Sequence, residues 1–212
     1  MNSSQEQEPR TFTDFLRRLF KGFLDSIAAF LNRLGVRPNM ITAAGLIGNL
    51  AAGTLIATGN LFWGGLLALI VGPLDALDGV LARLRNESGH FGAFVDSVTD
   101  RYSEMAIYGG LLVYFSEAGH WTDPLLIFIA AIGSFMVSYT RARAESLGYS
   151  AKIGLLTRAE RYLVLIPGVI LGYPRVSLGI IAVFANFTAF QRFFHVRKIL
   201  RNLEECINKE KD

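Results

Sequence analysis

The chain carries the stretch Asp75-Ala-Leu-Asp78-Gly79-Val-Leu-Ala82-Arg83 and, after eight further residues, the stretch Gly92-Ala-Phe-Val-Asp96-Ser-Val-Thr-Asp100. Together these segments place four carboxylates in or beside runs apolar enough to lie in a membrane. A charged side chain inside a membrane costs free energy, and such residues usually mark a functional site. Residues 75–100 are therefore predicted to contain the functional site of the chain.

The composition is that of a membrane protein. Of the 212 residues, 51% are hydrophobic and only 18% are charged. The net charge of +3 does not indicate nucleic acid as a partner, because the basic residues separate apolar runs instead of forming one stripe. They are interpreted as the cytoplasmic ends of membrane helices. The single cysteine, Cys206, excludes an intrachain disulfide.

The N-terminal region is predicted to lie outside the bilayer core. Residues 1–10 are predicted to be disordered, and no basic region leads into a cleavable apolar run, so no secretory signal peptide is expected. Residues 11–36 have apolar side chains at three- and four-residue spacing, with Arg17, Arg18 and Lys21 between them. This pattern predicts an amphipathic helix in the headgroup plane. A helix packed on a soluble partner is the alternative.

Six transmembrane helices are predicted from the apolar runs that follow. They cover residues 40–58, 61–84, 91–115, 124–139, 162–171 and 176–194, and the fifth has the shortest uninterrupted apolar stretch. The fold class is therefore an all-α integral membrane protein. Because no internal repeat or low-complexity linker is found, residues 37–203 are predicted to form one six-helix domain, followed by a polar tail at 204–212.

The basic residues also predict the orientation. With this topology, Arg175 is the only one of the 21 Lys and Arg residues in a loop on the non-cytoplasmic side. The rule that cytoplasmic loops carry the excess of Lys and Arg then places both termini in the cytosol.

Helical spacing predicts that the four carboxylates converge. Asp75 and Asp78 are three residues apart and share a helix face, whereas Asp96 and Asp100 are one turn apart. The second and third spans are joined by a short loop, so we expect antiparallel neighbours with the carboxylates about 10 Å from the cytosolic helix end. Four ionised carboxylates at that depth repel one another, so some are protonated or cations neutralise them.

This oxygen-rich cluster favours a hard divalent cation. It has no His or Cys at helical spacing, so Mg²⁺ or Mn²⁺ is expected in preference to zinc. Two such ions clamp a phosphoryl group and stabilise both the attacking and the leaving oxygen. Gly79 and Gly92 leave room for a helix or ligand backbone, and Arg83 offers a forked phosphate donor. A set of buried ion pairs or a cation pathway, as in transporters, is the alternative.

The two segments resemble the complete signature of the CDP-alcohol phosphotransferases (CDP-alcohol phosphatidyltransferase class I), membrane enzymes with six spans and an interfacial N-terminal helix. The resemblance implies that Asp75, Asp78 and Asp96 are metal ligands. It also implies that Asp100 completes the metal cluster and is the general base that takes the proton from the acceptor hydroxyl. The implied reaction is displacement of CMP from a CDP-linked lipid by an alcohol, with two divalent cations, Mg²⁺ or Mn²⁺, as cofactors.

The same resemblance implies a nucleotide site. Its residues come from the motif and from Pro38-Asn39-x-x-Thr42, a short match to a further family element. They are Asn39, Thr42, Asp75, Gly79, Ala82 and Arg83.

The acceptor alcohol is predicted from the basic residues after span four. Residues 138–145 and 158–161 resemble the phosphatidylinositol-phosphate synthases of actinobacteria and their archaeal ether-lipid relatives, in which the acceptor is inositol phosphate. By position, the residues that hold the acceptor phosphate are Ser138, Arg141, Arg158 and Arg192. Position 141 is commonly Lys in that subfamily, and the Arg found here keeps the charge while changing the donor from a point to a fork.

The implied donor is CDP-diacylglycerol or a CDP-archaeol-type lipid. A homodimer in the plasma membrane, with the active site facing the cytoplasm, is also implied. Two alternatives stay open: an enzyme of the same family that uses glycerol 3-phosphate, and a divalent-cation transporter.

Overall fold

The computed structural model describes residues 12–87, 89–116 and 120–209. In these ranges the chain forms eight α-helices and no strand: α1 (Phe12–Arg33), α2 (Pro38–Ala57), α3 (Leu61–Val71), α4 (Leu74–Leu84), α5 (His90–Ser116), α6 (Thr122–Ser146), α7 (Arg158–Ile170) and α8 (Pro174–Lys209). The all-α prediction is confirmed for the described residues. Residues 1–10, predicted to be disordered, lie outside them.

Four helical stretches are long and apolar enough to cross a membrane. They are residues Pro38–Ala57, Leu61–Leu84, Thr122–Ser146 and Pro174–Glu205. The 27-residue α5 is about 40 Å long, but its first half carries several charged side chains. The 13 residues of α7 span only about 20 Å. The membrane class is supported, whereas the third and fifth predicted spans stay predictions.

The second predicted span is broken, although the sequence predicts one continuous helix. The break between α3 and α4 lies at Gly72 and Pro73, directly before the acidic motif. Pro73 has no N–H to continue the helical ladder. Tyr162 packs into the space at Gly72, where a Cβ would lie 2.7 Å from the tyrosine ring. Its hydroxyl donates a hydrogen bond to the Ala68 carbonyl, which fixes α7 against the break.

Close helix packing depends on glycines at two contacts. On α2, a Cβ on Gly53 would collide with the Ala106 carbonyl of α5, and a Cβ on Gly110 would collide with Gly53 itself. On α6, Gly133 makes room for the amide of Asn186, which donates to the Ile129 carbonyl at 3.1 Å. Small residues let helix backbones approach in this way inside a bilayer. Consequently α2 and α5, and α6 and α8, form the two closely packed helix pairs.

The helix α1 packs on the motif helix. Leu24 and Ala28 are buried against Leu77 and Leu81 of α4. In contrast, the Phe23 side chain on the same helix is 65% exposed. A helix with one apolar side on the protein and another outward is consistent with an interfacial position.

The opposite end of the bundle is closed by an ion pair. Asp123 in the first turn of α6 accepts two hydrogen bonds from Arg175 in the first turn of α8, at 3.0 and 2.7 Å. The guanidinium carbon of Arg175 also lies 5.1 Å from the centre of the Phe115 ring. Arg175 therefore belongs to a helix terminus in the structure, and it ties α5, α6 and α8 together.

In the tail predicted at 204–212, residues 204–209 continue the last helix, and residues 210–212 lie outside the described residues. The 36 residues of α8 are about 54 Å long, which exceeds the roughly 30 Å hydrocarbon core. The helix therefore extends well beyond the apolar layer through Lys209.

Candidate active site

Three of the four predicted carboxylates meet in space. Asp75 of α4 and Asp96 and Asp100 of α5 each offer one oxygen, and these oxygens lie within 4.8 Å of one another. The helix α2 packs against both α4 and α5 and holds them in this arrangement. The convergence predicted from helical spacing is therefore seen for these three residues.

Asp78, the fourth carboxylate, has a different partner. It is 5% exposed, and its Oδ2 accepts a hydrogen bond of 2.6 Å from the Thr42 hydroxyl. Thr42 was singled out in the sequence for the nucleotide site, and the structure places it beside the acidic motif. A hydroxyl donor of this kind orients a buried carboxylate.

The donor set fits a hard divalent cation. All three converging groups are carboxylates, the ligand type that Mg²⁺ and Mn²⁺ prefer. In addition, Oδ1 of Asp96 is buried without a hydrogen-bond partner among the described residues. A buried carboxylate oxygen without a partner is costly, and coordination to a cation would satisfy it.

Arg158 lies on two of the three carboxylates. Its Nη1 is 2.6 Å from Asp75 Oδ2 and 2.6 Å from Asp100 Oδ2. It is the first residue of α7, which begins with a capping box formed by Thr157 and Glu160. One guanidinium nitrogen therefore bridges α4 and α5. The sequence suggested Arg158 for the acceptor phosphate and gave no sign of this contact.

Arg161, one turn further along α7, forms a second ion pair. Its Nε and Nη2 donate to the two oxygens of Glu104 on α5, both at 2.9 Å. The Arg161 side chain is 1% exposed and that of Glu104 is 12% exposed. Sequence reasoning missed Glu104, although Asp96, Asp100 and Glu104 follow one another at four-residue spacing on one helix face.

A cavity of about 290 Å³ adjoins the carboxylates. It lies between α5, α6, α7 and α8, and all four predicted acceptor residues line it together with two of the aspartates: Asp96, Asp100, Ser138, Arg141, Arg158 and Arg192. The structure therefore brings the acidic motif and the distant basic residues to one opening. Carboxylates that could hold a metal ion and basic side chains that could bind an anion therefore face the same cavity.

The other acceptor residues hold different contacts in the cavity wall. Arg141 pairs with Glu145 at 2.8 Å on the exposed side of α6. Arg192 is 2% exposed and donates to the Ile153 and Val137 carbonyls at 2.8 and 2.5 Å. Arg192 thus also fixes the loop before α7 to α8.

The remaining predicted nucleotide residues lie on α2 and α4. Asn39 and Arg83 are exposed, and Gly79 and Ala82 are partly buried. A Cβ on Gly79 would lie 3.7 Å from Arg83 Nη1, which is an ordinary contact, and a Cβ on Gly92 would meet nothing within 4 Å. Among the described residues no helix approaches either glycine closely. Of the two reasons proposed for these glycines, only room for a ligand remains.

The fold and site together define a helical membrane protein with an oxygen-ligand metal site beside an arginine-lined cavity. Comparison with known proteins identifies the class further. Residues 35–191 match the model of the CDP-alcohol phosphatidyltransferase family. The chain belongs to this family, which confirms the prediction made from the Asp motif.

Two similar curated proteins have related names. The phosphatidylinositol phosphate synthase of Mycobacteroides abscessus is 34% identical over 191 residues, which cover 85% of this chain and 86% of the relative. The archaetidylinositol phosphate synthase of Methanothermobacter thermautotrophicus is also 34% identical over 191 residues, covering 87% and 94%.

Two similar solved structures are also of a phosphatidylinositol phosphate synthase. The crystal structure of Mycobacterium tuberculosis phosphatidylinositol phosphate synthase in complex with manganese and citrate is 30% identical, with a TM-score of 0.75 over 82% of this chain and 88% of that chain. A second crystal structure of that protein has CDP-DAG bound, with a TM-score of 0.74, 30% identity and coverage of 82% and 92%.

Proposed function

We propose that the chain transfers the phosphatidyl group, or its ether-lipid counterpart, from a CDP-linked lipid to inositol phosphate and releases CMP. The observation that carries this proposal is the cavity that joins Asp96 and Asp100 to Arg141, Arg158 and Arg192. Four arginines line this small cavity, because Arg101 also contributes, and this many cations suit a phosphorylated acceptor better than a neutral alcohol. The names of the relatives support the same acceptor.

The four aspartates act on the CDP-linked lipid, which is the donor substrate. Asp75, Asp78, Asp96 and Asp100 would hold two divalent cations, Mg²⁺ or Mn²⁺, which when bound neutralise the diphosphate and stabilise departing CMP. Asp78 is oriented for this role by the Thr42 hydroxyl. Asp100 lines the cavity and accepts the proton from the attacking hydroxyl of the acceptor.

The nucleotide lies on the exposed side of α2 and α4. Gly79 and Ala82 leave a surface without long side chains, and Arg83 and Asn39 offer exposed donors beside it. Thr42 and Asp75 complete this set at its deeper end. The lipid chains of the donor remain in the bilayer.

The acceptor phosphate lies in the cavity on the other side of the carboxylates. Arg141 is an exposed cation on α6, and Ser138 lies one turn before it. Arg158 and Arg192 complete the phosphate site from α7 and α8. Two phosphorylated substrates thus approach the aspartates from opposite directions, which suits direct transfer between them.

The proposed topology has six spans with both termini in the cytosol. It counts α5 and α7 as spans three and five, α1 (predicted at 11–36) as an interfacial helix, residues 37–203 as one domain and 204–212 as a tail. The length of α5 and the distribution of basic residues support it. The active site then faces the cytoplasm of a plasma-membrane enzyme, which we take to be a homodimer.

The test is an acceptor screen with the purified chain in lipid nanodiscs. CDP-diacylglycerol or a CDP-archaeol lipid, Mg²⁺ and one acceptor are combined, and CMP release and product mass are measured. We expect turnover with inositol phosphate, little with inositol, and a loss of about 10³-fold or more in Asp100→Asn. Turnover with glycerol 3-phosphate but not with inositol phosphate would overturn the proposed acceptor. Metal flux through liposomes without any CDP-lipid would instead support a transporter.

A further inference from the structure

Arg158 occupies a position that a metal ion would also require. Its Nη1 lies 2.6 Å from one oxygen of Asp75 and 2.6 Å from one oxygen of Asp100. These two residues belong to the group of three carboxylates whose oxygens converge within 4.8 Å. The guanidinium and a divalent cation therefore depend on the same two carboxylates.

Both cations cannot hold these oxygens in this arrangement. A divalent ion at carboxylate distance would lie within a few ångströms of the guanidinium, and two positive charges at that separation repel strongly in a poorly solvated site. Arg158 has an alternative position, because its side chain is 35% exposed and lines the cavity between α5 and α6. In that cavity an anionic ligand would replace the lost carboxylate contacts.

We propose that Arg158 exchanges between the carboxylates of Asp75 and Asp100 and the phosphate of the acceptor, so that metal and acceptor strengthen each other's binding. The acceptor's identity rests on the proposed function, whereas the exchange itself rests on the observed ion pairs. Metal binding releases the guanidinium into the cavity, where the acceptor phosphate binds it. By thermodynamic linkage, an acceptor that holds Arg158 raises metal affinity by the same factor.

The surrounding structure permits the side chain to move while its helix stays in place. Arg161 is bound by Glu104 through two hydrogen bonds, and Tyr162 is bound to the Ala68 carbonyl. These contacts fix α7 within one turn of Arg158. Exchange therefore needs only rotation of a long side chain, which is fast compared with helix motion.

Arg141 provides a matched control. It lines the same cavity and has the same charge, but its guanidinium pairs with Glu145 and not with the converging aspartates. Loss of Arg141 removes a cavity cation without removing a competitor from the metal ligands. Only Arg158 is predicted to affect metal binding when no substrate is present.

The experiment measures Mn²⁺ binding to the purified full chain in nanodiscs, without substrates, by electron paramagnetic resonance of free Mn²⁺. We expect Arg158→Gln to bind Mn²⁺ roughly tenfold more tightly than the unchanged protein, because a competing positive charge is gone. Arg158→Lys keeps a charge and should be intermediate. Arg141→Gln should remain within about twofold. Unchanged or weaker Mn²⁺ binding in Arg158→Gln would overturn the exchange.

A second titration adds inositol phosphate, with a protein-free titration to correct for Mn²⁺ bound by the acceptor itself. We expect the acceptor to tighten Mn²⁺ binding in the unchanged protein and to lose this effect in Arg158→Gln. Tightening that persists in Arg158→Gln would contradict the coupling. If inositol phosphate proves not to be the acceptor, tighter Mn²⁺ binding by Arg158→Gln still supports the exchange, so the two failures are distinguishable.

Discussion

Two arginines on α7, one turn apart, make opposite kinds of ion pair. Arg161 gives two nitrogens to the two oxygens of a single carboxylate, Glu104, and is almost completely buried. Arg158 gives one nitrogen to two carboxylates from two helices and remains partly exposed. In the first arrangement each carboxylate oxygen has its own donor, and the guanidinium also donates to the Leu156 carbonyl and the Ser138 hydroxyl. In the second, two carboxylates share one donor, and Oδ1 of the neighbouring Asp96 has no hydrogen-bond partner within the part of the chain that the structure describes.

This difference indicates that one arginine of α7 has a structural role and the other a role at the site. A two-point pair that is buried gains little by exchanging its partner, and breaking it leaves a charge without solvation. A donor that two carboxylates share is held less specifically. A cation can replace it at the carboxylates, and an anion can then bind the released guanidinium. Arg161 therefore fixes α7, and Arg158 acts at the site that α7 carries.

The largest effect is expected at Asp100, one of the two carboxylates that share the Arg158 donor. Asp100→Asn removes the proposed base and the negative charge of one of the two carboxylates that contact Arg158, so turnover should fall by about 10³- to 10⁴-fold. Thermal stability should change little, because Asp75 still accepts from Arg158. CMP release and the melting temperature are measured together.

Asp123→Asn is the control for Asp100→Asn. Asp123 is a buried carboxylate paired with an arginine, but at the opposite end of the bundle. Its substitution should leave turnover within about threefold. Comparable losses of turnover in both variants would show that any buried pair matters equally, and the distinction drawn between the two ends would fail.

The next effect is expected at the buried ion pair between Arg161 and Glu104. Glu104→Leu leaves Arg161 buried without its carboxylate, which should lower the free energy of unfolding by about 3 kcal/mol or more. Adding Arg161→Met replaces both charges by apolar side chains and should recover most of that loss. Thermal unfolding of both variants in the same nanodiscs gives the comparison. A double variant as unstable as Glu104→Leu would mean that the ion pair itself is required.

Local spacing in the sequence predicted the groups that lie on one helix or in one motif. Helical periodicity placed Asp96 and Asp100 together, and the motif added Asp75. The acceptor residues, which came from the resemblance to the family, line the same cavity as Asp96 and Asp100. The predicted convergence also depended on the expectation that the second and third spans lie side by side. In the structure α2 packs against both α4 and α5.

Long-range pairing could not be read from spacing. Asp78 was expected to join the cluster, but it accepts from Thr42, 36 residues away. Glu104 carries no motif, although its position one turn after Asp100 in an apolar helix required a partner. The break at Gly72 was missed for another reason, because glycine and proline are both tolerated in membrane helices and hydropathy does not detect such breaks.

A smaller effect is expected at Arg141, which lines the same cavity as Arg158 but does not contact the aspartates. Arg141→Gln removes an exposed cation that pairs with Glu145 on the same helix. We expect the KM for inositol phosphate to rise about tenfold, because a charge-assisted contact to phosphate is lost, while kcat changes little. Steady-state kinetics with varied acceptor measure this. A fall in kcat at unchanged KM would assign Arg141 to the transition state instead.

The smallest effect is expected at Tyr162, the residue after Arg161. Its hydroxyl donates to the Ala68 carbonyl at the break between α3 and α4, a neutral contact next to two charged ones. Tyr162→Phe keeps the ring packed at Gly72 and removes only this hydrogen bond, so stability should fall by about 1 kcal/mol. Turnover and Mn²⁺ affinity should stay within about twofold, because Glu104 still holds α7. Thermal unfolding and Mn²⁺ titration of the same sample measure both. A large loss of Mn²⁺ affinity would mean that the break positions Asp75, and the anchoring of α7 would then be divided between Tyr162 and Arg161.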